Sequence, residues 1–140
     1  MFEKIINSKS IFSVGLSNSK EVDNDGIVIA TKNSMKKSLD KINYDYALID
    51  SVDLMINKPY FNFNKADSIS VSVAAASIIA KVCRDSMMSN IYDKLYPDYF
   101  FKNNKGYGSN KHIEIMKNIG LCPIHRKTFK PNSELIRKWD

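Results

Sequence analysis

Cysteine is scarce in this chain, and its two thiols suggest no pairing. Cys83 and Cys122 lie far apart and form no C-x-x-C motif, and no histidine is expected beside them at zinc spacing, so neither a disulfide framework nor a structural metal is indicated, and they read as reduced thiols of a cytosolic protein. Long apolar runs are lacking as well. No stretch approaches the roughly 18 apolar residues of a membrane span, and Phe2-Glu3-Lys4-Ile5-Ile6-Asn7 carries charge where a signal peptide needs an uninterrupted apolar core. Membrane insertion and secretion are therefore not expected. The longest low-charge stretch, Ser68 to Ala80, holds four serines among its alanines and reads as a buried helix. There is no internal repeat, no low-complexity tract and no sign of a second domain. The 140 residues, 44% hydrophobic and 26% charged, fit one soluble globular domain with a core that needs no staples.

Excess acidic charge is missing from the C-terminal part. Residues 1 to 101 hold twelve basic and twelve acidic side chains, whereas residues 102 to 140 hold nine basic against three acidic, so the net charge of +6 belongs to the last segment. A basic stretch beside an acidic pocket suits a protein that acts on a polyanion, because lysine and arginine hold phosphates while carboxylates hold a cation. A solvated lysine surface is the competing explanation of the same charges.

Hydrophobic periodicity predicts an α/β arrangement. Glu3 to Asn7 reads as the tail of a helix and Ile11 to Leu16 as a strand, and Ser17, Asn18 and Ser19 offer turn and cap chemistry. Val28, Thr31, Met35, Leu39 and Ile42 recur at helical spacing, which predicts a helix over about 27–42, followed by a strand at Tyr46 to Ile49. That order suggests a parallel pair joined by a crossover helix. A loop over Ser51 to Lys65 contains a short strand at Tyr60 to Phe63. A long helix is then expected from about Ile69 to Leu95, closed by Pro97. Lys102 to Ser109 reads as a loop, Ser109 or Asn110 caps a helix that Gly120 ends, and a terminal helix covers Glu134 to Trp139.

Two acids stand out within this frame. Asp50 ends the apolar run Tyr46-Ala47-Leu48-Ile49, and Asp67 follows seventeen positions later, ahead of the small-residue helix. A carboxylate at the end of a buried strand and another at the start of a helix are a common way to hold a divalent cation over a phosphate. Taken alone, each is better explained as a cap or a surface acid.

Several further motifs appear in the same order. They are Lys65-Ala66-Asp67, the block Ala74-Ala75-Ala76-Ser77-Ile78-Ile79-Ala80-Lys81-Val82-Cys83-Arg84-Asp85, the loop Lys105-Gly106-Tyr107-Gly108-Ser109-Asn110-Lys111-His112, and Pro123-Ile124-His125-Arg126-Lys127-Thr128-Phe129. Together with Ile49-Asp50 and the stretch Glu21 to Ile27, they resemble bacterial ribonuclease HII over essentially the whole chain.

The resemblance implies an RNase H-like fold and cleavage of RNA in RNA/DNA hybrids and at single ribonucleotides embedded in duplex DNA, with Mg2+ or Mn2+ held by four acids. It assigns two of those acids here, Asp50 and Asp67, as catalytic metal ligands. It makes Tyr107 the side chain that stacks on the sugar beyond the ribonucleotide, and His125 and Arg126 phosphate contacts, with Lys105 extending that surface. Lys81 and Asp85 fall on motif positions, Asp85 with a structural or ion-pairing role, while Asp53 lies outside the pattern as a loop acid. Where the family usually has Lys-Gly-Asp this chain has Lys65-Ala66-Asp67, a mild change unless Ala66 needs a positive φ.

One motif of the family is absent. The chain contains no Asp-Glu pair and no Gly-Arg pair, so it lacks the Asp-Glu-x-Gly-Arg-Gly segment that supplies the other two acids. The expectation is an incomplete RNase H-like fold: the later parallel strands and helices without the first three antiparallel strands. Residues 1–101 would form a partial catalytic core and 102–140 the basic substrate-binding segment of the same domain. Three arrangements fit: the C-terminal part of a ribonuclease HII, a non-catalytic nucleic-acid-binding remnant, or one half of an enzyme completed by a separate chain. The first is favoured, with a cytoplasmic location and no activity for the 140 residues alone.

Overall fold

A computed structural model describes residues 1–136; residues 137–140 lie outside the described part. The chain divides into two compact units, one formed by residues 1–17 and 27–82, the other by 18–26 and the chain from Cys83 onward. The architecture is mixed α/β, mostly helical, with one two-stranded parallel sheet among the described residues.

In the first unit, α1 covers Phe2–Ile6 and α3 covers Ile27–Leu39. Helix α3 stops short of Ile42 because its last turn tightens: Lys41 N donates to Ser38 O at 3.3 Å and Ile42 N to Leu39 O at 3.2 Å. Strands β1, Ala47–Asp50, and β2, Tyr60–Phe63, pair in parallel from Ala47 opposite Tyr60 to Asp50 opposite Phe63. Ala47 and Ile49 of β1 are buried with Leu54, and Met35 and Leu39 of α3 pack onto them with Tyr44, Val52 and Tyr60. This alternation is the period-2 pattern of a strand with one face on a core.

The expected strand at Ile11 to Leu16 does not form. Gly15 lies so close to α3 that a Cβ built on it would stand 1.8 Å from Ser34 O. The carbonyls that a strand partner would have taken are bonded by side chains of α3 and the turn after it: Lys41 Nζ donates to Val14 O at 3.0 Å and Lys37 Nζ to Leu16 O at 3.0 Å. The parallel partner of β1 is therefore β2, and the connection over 51–59 contains no helix, which corrects the predicted crossover.

After a 3-10 turn at Ala66–Ser68, α4 runs from Val71 to Met87. Of the stretch expected to be a buried helix only Val73 and Ile79 are buried, and Val71 is 87% exposed. The helix also ends earlier than its periodicity suggests. It passes into a π-helical turn, Met88–Tyr92, that drives Met88 into the second core, and then into the short α5, Asp93–Leu95.

The second unit contains α2, Ser19–Asp25, a helix that starts where Ser17, Asn18 and Ser19 offer cap chemistry. A capping box starts it: Glu21 N donates to Asn18 Oδ1 at 2.9 Å and Asn18 N to Glu21 Oε2 at 2.6 Å. Gly26, at φ +80°, separates α2 from α3. Beyond α5, Pro97 opens a 3-10 turn at Pro97–Tyr99, and α6, Phe101–Asn104, replaces the first part of the expected loop. Helix α7, Asn110–Ile119, is capped by Ser109 and stopped by Gly120 as expected. Helix α8 covers Asn132–Ile136; the rest of the predicted terminal helix, to Trp139, falls outside the described residues. Met88, Tyr99, Phe101, Met116, Cys122 and Leu135 form the core.

Candidate functional site

Asp50 is the last residue of β1, so the parallel pairing of that strand places its carboxylate at the C-terminal edge of the sheet. Its Oδ1 accepts from Ala66 N at 3.0 Å and from Ser51 Oγ at 3.0 Å. The first of these bonds fastens the strand end to the 3-10 turn in which Asp67 is the exposed second residue. The left-handed conformation needed at this turn falls on Lys65, φ 57°, while Ala66 is fully buried and is not among the positive-φ residues. Alanine in place of glycine at position 66 is thus the mild departure.

Asp53 is engaged elsewhere, accepting from the Tyr60 hydroxyl and from Met55 N. The Tyr60 bond, followed by the Met55 bond, holds its carboxyl below the ordinary value. Among the described residues no three His, Cys, Asp or Glu side chains converge on a common point. The two matched acids are hard oxygen donors of the kind Mg2+ and Mn2+ take, and such ions are commonly held by one or two carboxylates plus water and substrate phosphate. Asp50 and Asp67 fit that role chemically, as part of a ligand set.

In the second unit, Tyr107 sits at the end of a tight turn. Lys105, φ 53°, and Gly106, φ 75°, are both left-handed. The turn is braced by Asn104: its Oδ1 accepts from Gly106 N at 2.7 Å, its backbone O from Tyr107 N at 2.8 Å, and its Nδ2 donates to Tyr99 O at 2.7 Å. Tyr107 remains 52% exposed. Lys105 turns its ammonium inward, to Ser89 Oγ and Lys102 O. On α4, Lys81 is exposed, and Asp85 lies 3.6 Å from Arg84 NH1, an ion pair between neighbours.

The histidines form a group that the sequence reading did not foresee. His112 is 1% exposed. Because Asn104 Nδ2 already faces Tyr99 O, the amide donates to His112 Nδ1 at 3.1 Å. His112 Nε2 lies 3.2 Å from His125 Nε2. His125 Nδ1 accepts from Cys122 N at 3.0 Å and lies 3.1 Å from Cys122 Sγ and 3.2 Å from Cys122 O. The rings stack with centroids 5.3 Å apart. Burial, then the proximity of His112, lowers His125 to about 4, burial lowers His112, and burial pushes the Cys122 thiol up, so the whole group is neutral at neutral pH. The spacing Cys122-x-x-His125 was the available signal, and it corrects the expectation that neither cysteine has a histidine close by.

Arg126 packs its guanidinium 3.8 Å from the Phe129 ring centre. Burial and then the charge of Arg84 draw it below its ordinary value, and it remains a cation. Its segment is pinned by Asp23, which accepts from Lys127 N at 2.8 Å, Thr128 N at 3.0 Å and Thr128 Oγ1 at 2.7 Å. Asp23 is a second residue whose part sequence reasoning missed, since its partners are more than a hundred positions away.

The sequence pattern of the family described as Ribonuclease HII matches residues 2–132. Among curated relatives, a protein named Ribonuclease HII from Enterococcus faecalis is 41% identical over 97% of this chain and 54% of its own length. One of the same name from Acholeplasma laidlawii is 40% identical over 99% of this chain and 68% of its own length. A third, from Listeria innocua, is 42% identical over 96% of this chain and 52% of its own length. The chain thus spans about half to two thirds of the length of the relatives it matches.

Proposed function

Because the chain belongs to the ribonuclease HII family, we propose that it supplies the Asp50 and Asp67 half of a metal-dependent endonuclease site that cuts at ribonucleotides in duplex DNA and in RNA/DNA hybrids. The observation that carries this reading is the 3.0 Å bond from Ala66 N to Asp50 Oδ1, which couples the strand carboxylate to the turn bearing Asp67. A bound Mg2+ or Mn2+ would polarise the scissile phosphate and lower the pKa of an attacking water. Asp50 serves as a direct ligand, and Asp67 as a ligand or as the group that orients the water.

Tyr107, held by the braced turn, presents its exposed ring to the sugar at the RNA–DNA junction, where the 2′-hydroxyl is read. Arg126, charged and fixed in direction by Phe129, contacts phosphate. His125 acts in this scheme as a neutral anchor for the Arg126 segment and not as a cation, given its value of about 4.

Two acids leave the ligand set incomplete for two-metal chemistry. The remaining two belong to the Asp-Glu-x-Gly-Arg-Gly motif on the first of three antiparallel strands, and neither that pair nor Gly-Arg occurs in these residues. The absence of a third converging acid among the described residues favours a second reading for the 140 residues by themselves, that of a non-catalytic nucleic-acid binder.

Cleavage of a duplex carrying one ribonucleotide, with Mn2+, separates the two readings. The 140-residue protein should bind without cutting, and the same residues joined to the N-terminal part of the Enterococcus faecalis relative should cut. Cleavage by the short protein alone, or none by the joined one, would refute the assignment.

A further inference from the structure

Arg84 stands directly behind the turn that carries Tyr107. Its NH1 donates to Lys105 O at 2.9 Å, and the centre of its guanidinium lies 5.1 Å from the centre of the Tyr107 ring. A Cβ added to Gly106 would come within 3.7 Å of Arg84 NH2 and 3.1 Å of Met88 Cε, so the turn is laid closely over this side chain. Lys105 and Gly106 are both left-handed, a conformation that costs a non-glycine residue energy unless its surroundings hold it. Asn104 braces the turn through Gly106 N, and Arg84 braces it through the carbonyl immediately before.

We propose that Arg84 is the positioning residue of the ribonucleotide-reading turn: one flat guanidinium bonds the Lys105 carbonyl and supports the Tyr107 ring, so that the ring meets the sugar already oriented. The inference rests on the reading of Tyr107 as the sugar-sensing side chain. A guanidinium suits this double task because its planar fork donates in the plane and stacks on an aromatic face, which an ammonium does not do. Pre-orientation raises affinity and discrimination by removing the cost of ordering the turn on binding.

The test compares the unaltered protein with Arg84→Met and Tyr107→Ala, measuring binding to a duplex with one ribonucleotide and to the same duplex in all-DNA form. The Arg84 side chain is 46% exposed, so methionine removes little packing. The ratio of the two affinities cancels the uniform loss from one less positive charge. Arg84→Met should lower that ratio about fivefold, the loss of one cation–aromatic support. In the free protein it should also shift and broaden the NMR signals of the Tyr107 ring while leaving those of Tyr99 in place.

Equal weakening on both duplexes with an unchanged Tyr107 signal would overturn the proposal and leave Arg84 as a plain phosphate contact. An unaltered protein without preference, or a Tyr107→Ala variant that keeps it, would refute the reading of Tyr107 instead. The Tyr107 ring signal of Arg84→Met would then decide the role of Arg84 by itself.

Discussion

Protonating the histidine stack should destabilise the protein, and the size of the effect follows from the site. His125 titrates near 6.5 when unfolded and at about 4 when folded. Its folded value is depressed, so between those pH values the unfolded ring binds a proton that the folded ring refuses. Stability from this group is complete above about 6.5 and is lost progressively as the pH falls toward 4. At about 1.4 kcal/mol per decade of proton concentration, the gap corresponds to about 3 kcal/mol for a fully enclosed ring, and partial solvent access reduces it to about 2 kcal/mol. Two measurements check this. The chain has two histidines, so their Cε1 proton signals are readily assigned, and neither should titrate at 6–7 in the folded protein. Urea midpoints taken from pH 8 to 4.5 should fall in parallel, and His125→Asn should flatten the curve. A histidine signal that titrates at about 6.5 in the folded state, or an unchanged curve for His125→Asn, would refute the reasoning.

Other substitutions probe the frame that carries the site. Gly15→Ala should cost about 2 kcal/mol in urea unfolding, since its Cβ would collide with Ser34 O and the backbone must move. Phe101→Ala, which empties a fully buried position stacked on Tyr99 at 5.6 Å, should cost about 3–5 kcal/mol by the same measurement. Asp23→Ala should cost about 1 kcal/mol through the loss of its bonds to Lys127 N and Thr128 N, exposed amides that water then solvates. Burial pushes the Asp23 carboxyl up, but the Thr128 and Lys127 bonds together outweigh it and lower the net value. Its contribution is therefore present above pH 3.8 and lost only as the pH falls below that, under the histidine range.

The elements bounded by strong local signals were legible in the sequence. Ser109 and Gly120 bracket α7 as a cap and a stop should, and the apolar run before Asp50 forms β1 with its alternate residues inside. Ile11 to Leu16 misled because a β-like composition records apolarity and not the partner. With Gly15 against Ser34 and two lysines bonding its carbonyls, the segment lies along a helix. The break in the long helix at Met88 left no mark in its periodicity, because a π turn keeps an apolar residue inward while shifting register. At the candidate site, motif order singled out Asp50, Asp67 and Tyr107 as the residues proposed to act. What holds the Tyr107 turn and the Arg126 segment was less visible: Arg84 reaches Lys105 across 21 positions and Asp23 reaches Lys127 across 104, contacts to which a single sequence offers no periodic clue.

The most direct measurement is cleavage at a single ribonucleotide by residues 1–140 joined to the N-terminal part of the Enterococcus faecalis relative, with Asp50→Asn set beside Asp53→Asn. The two acids are three positions apart, yet only Asp50 is tied to the turn of Asp67, while Asp53 is spent on Tyr60. Asp50→Asn should abolish cleavage while substrate binding persists, and Asp53→Asn should cut at nearly the unaltered rate. Full activity in Asp50→Asn would contradict the metal-site reading at its root.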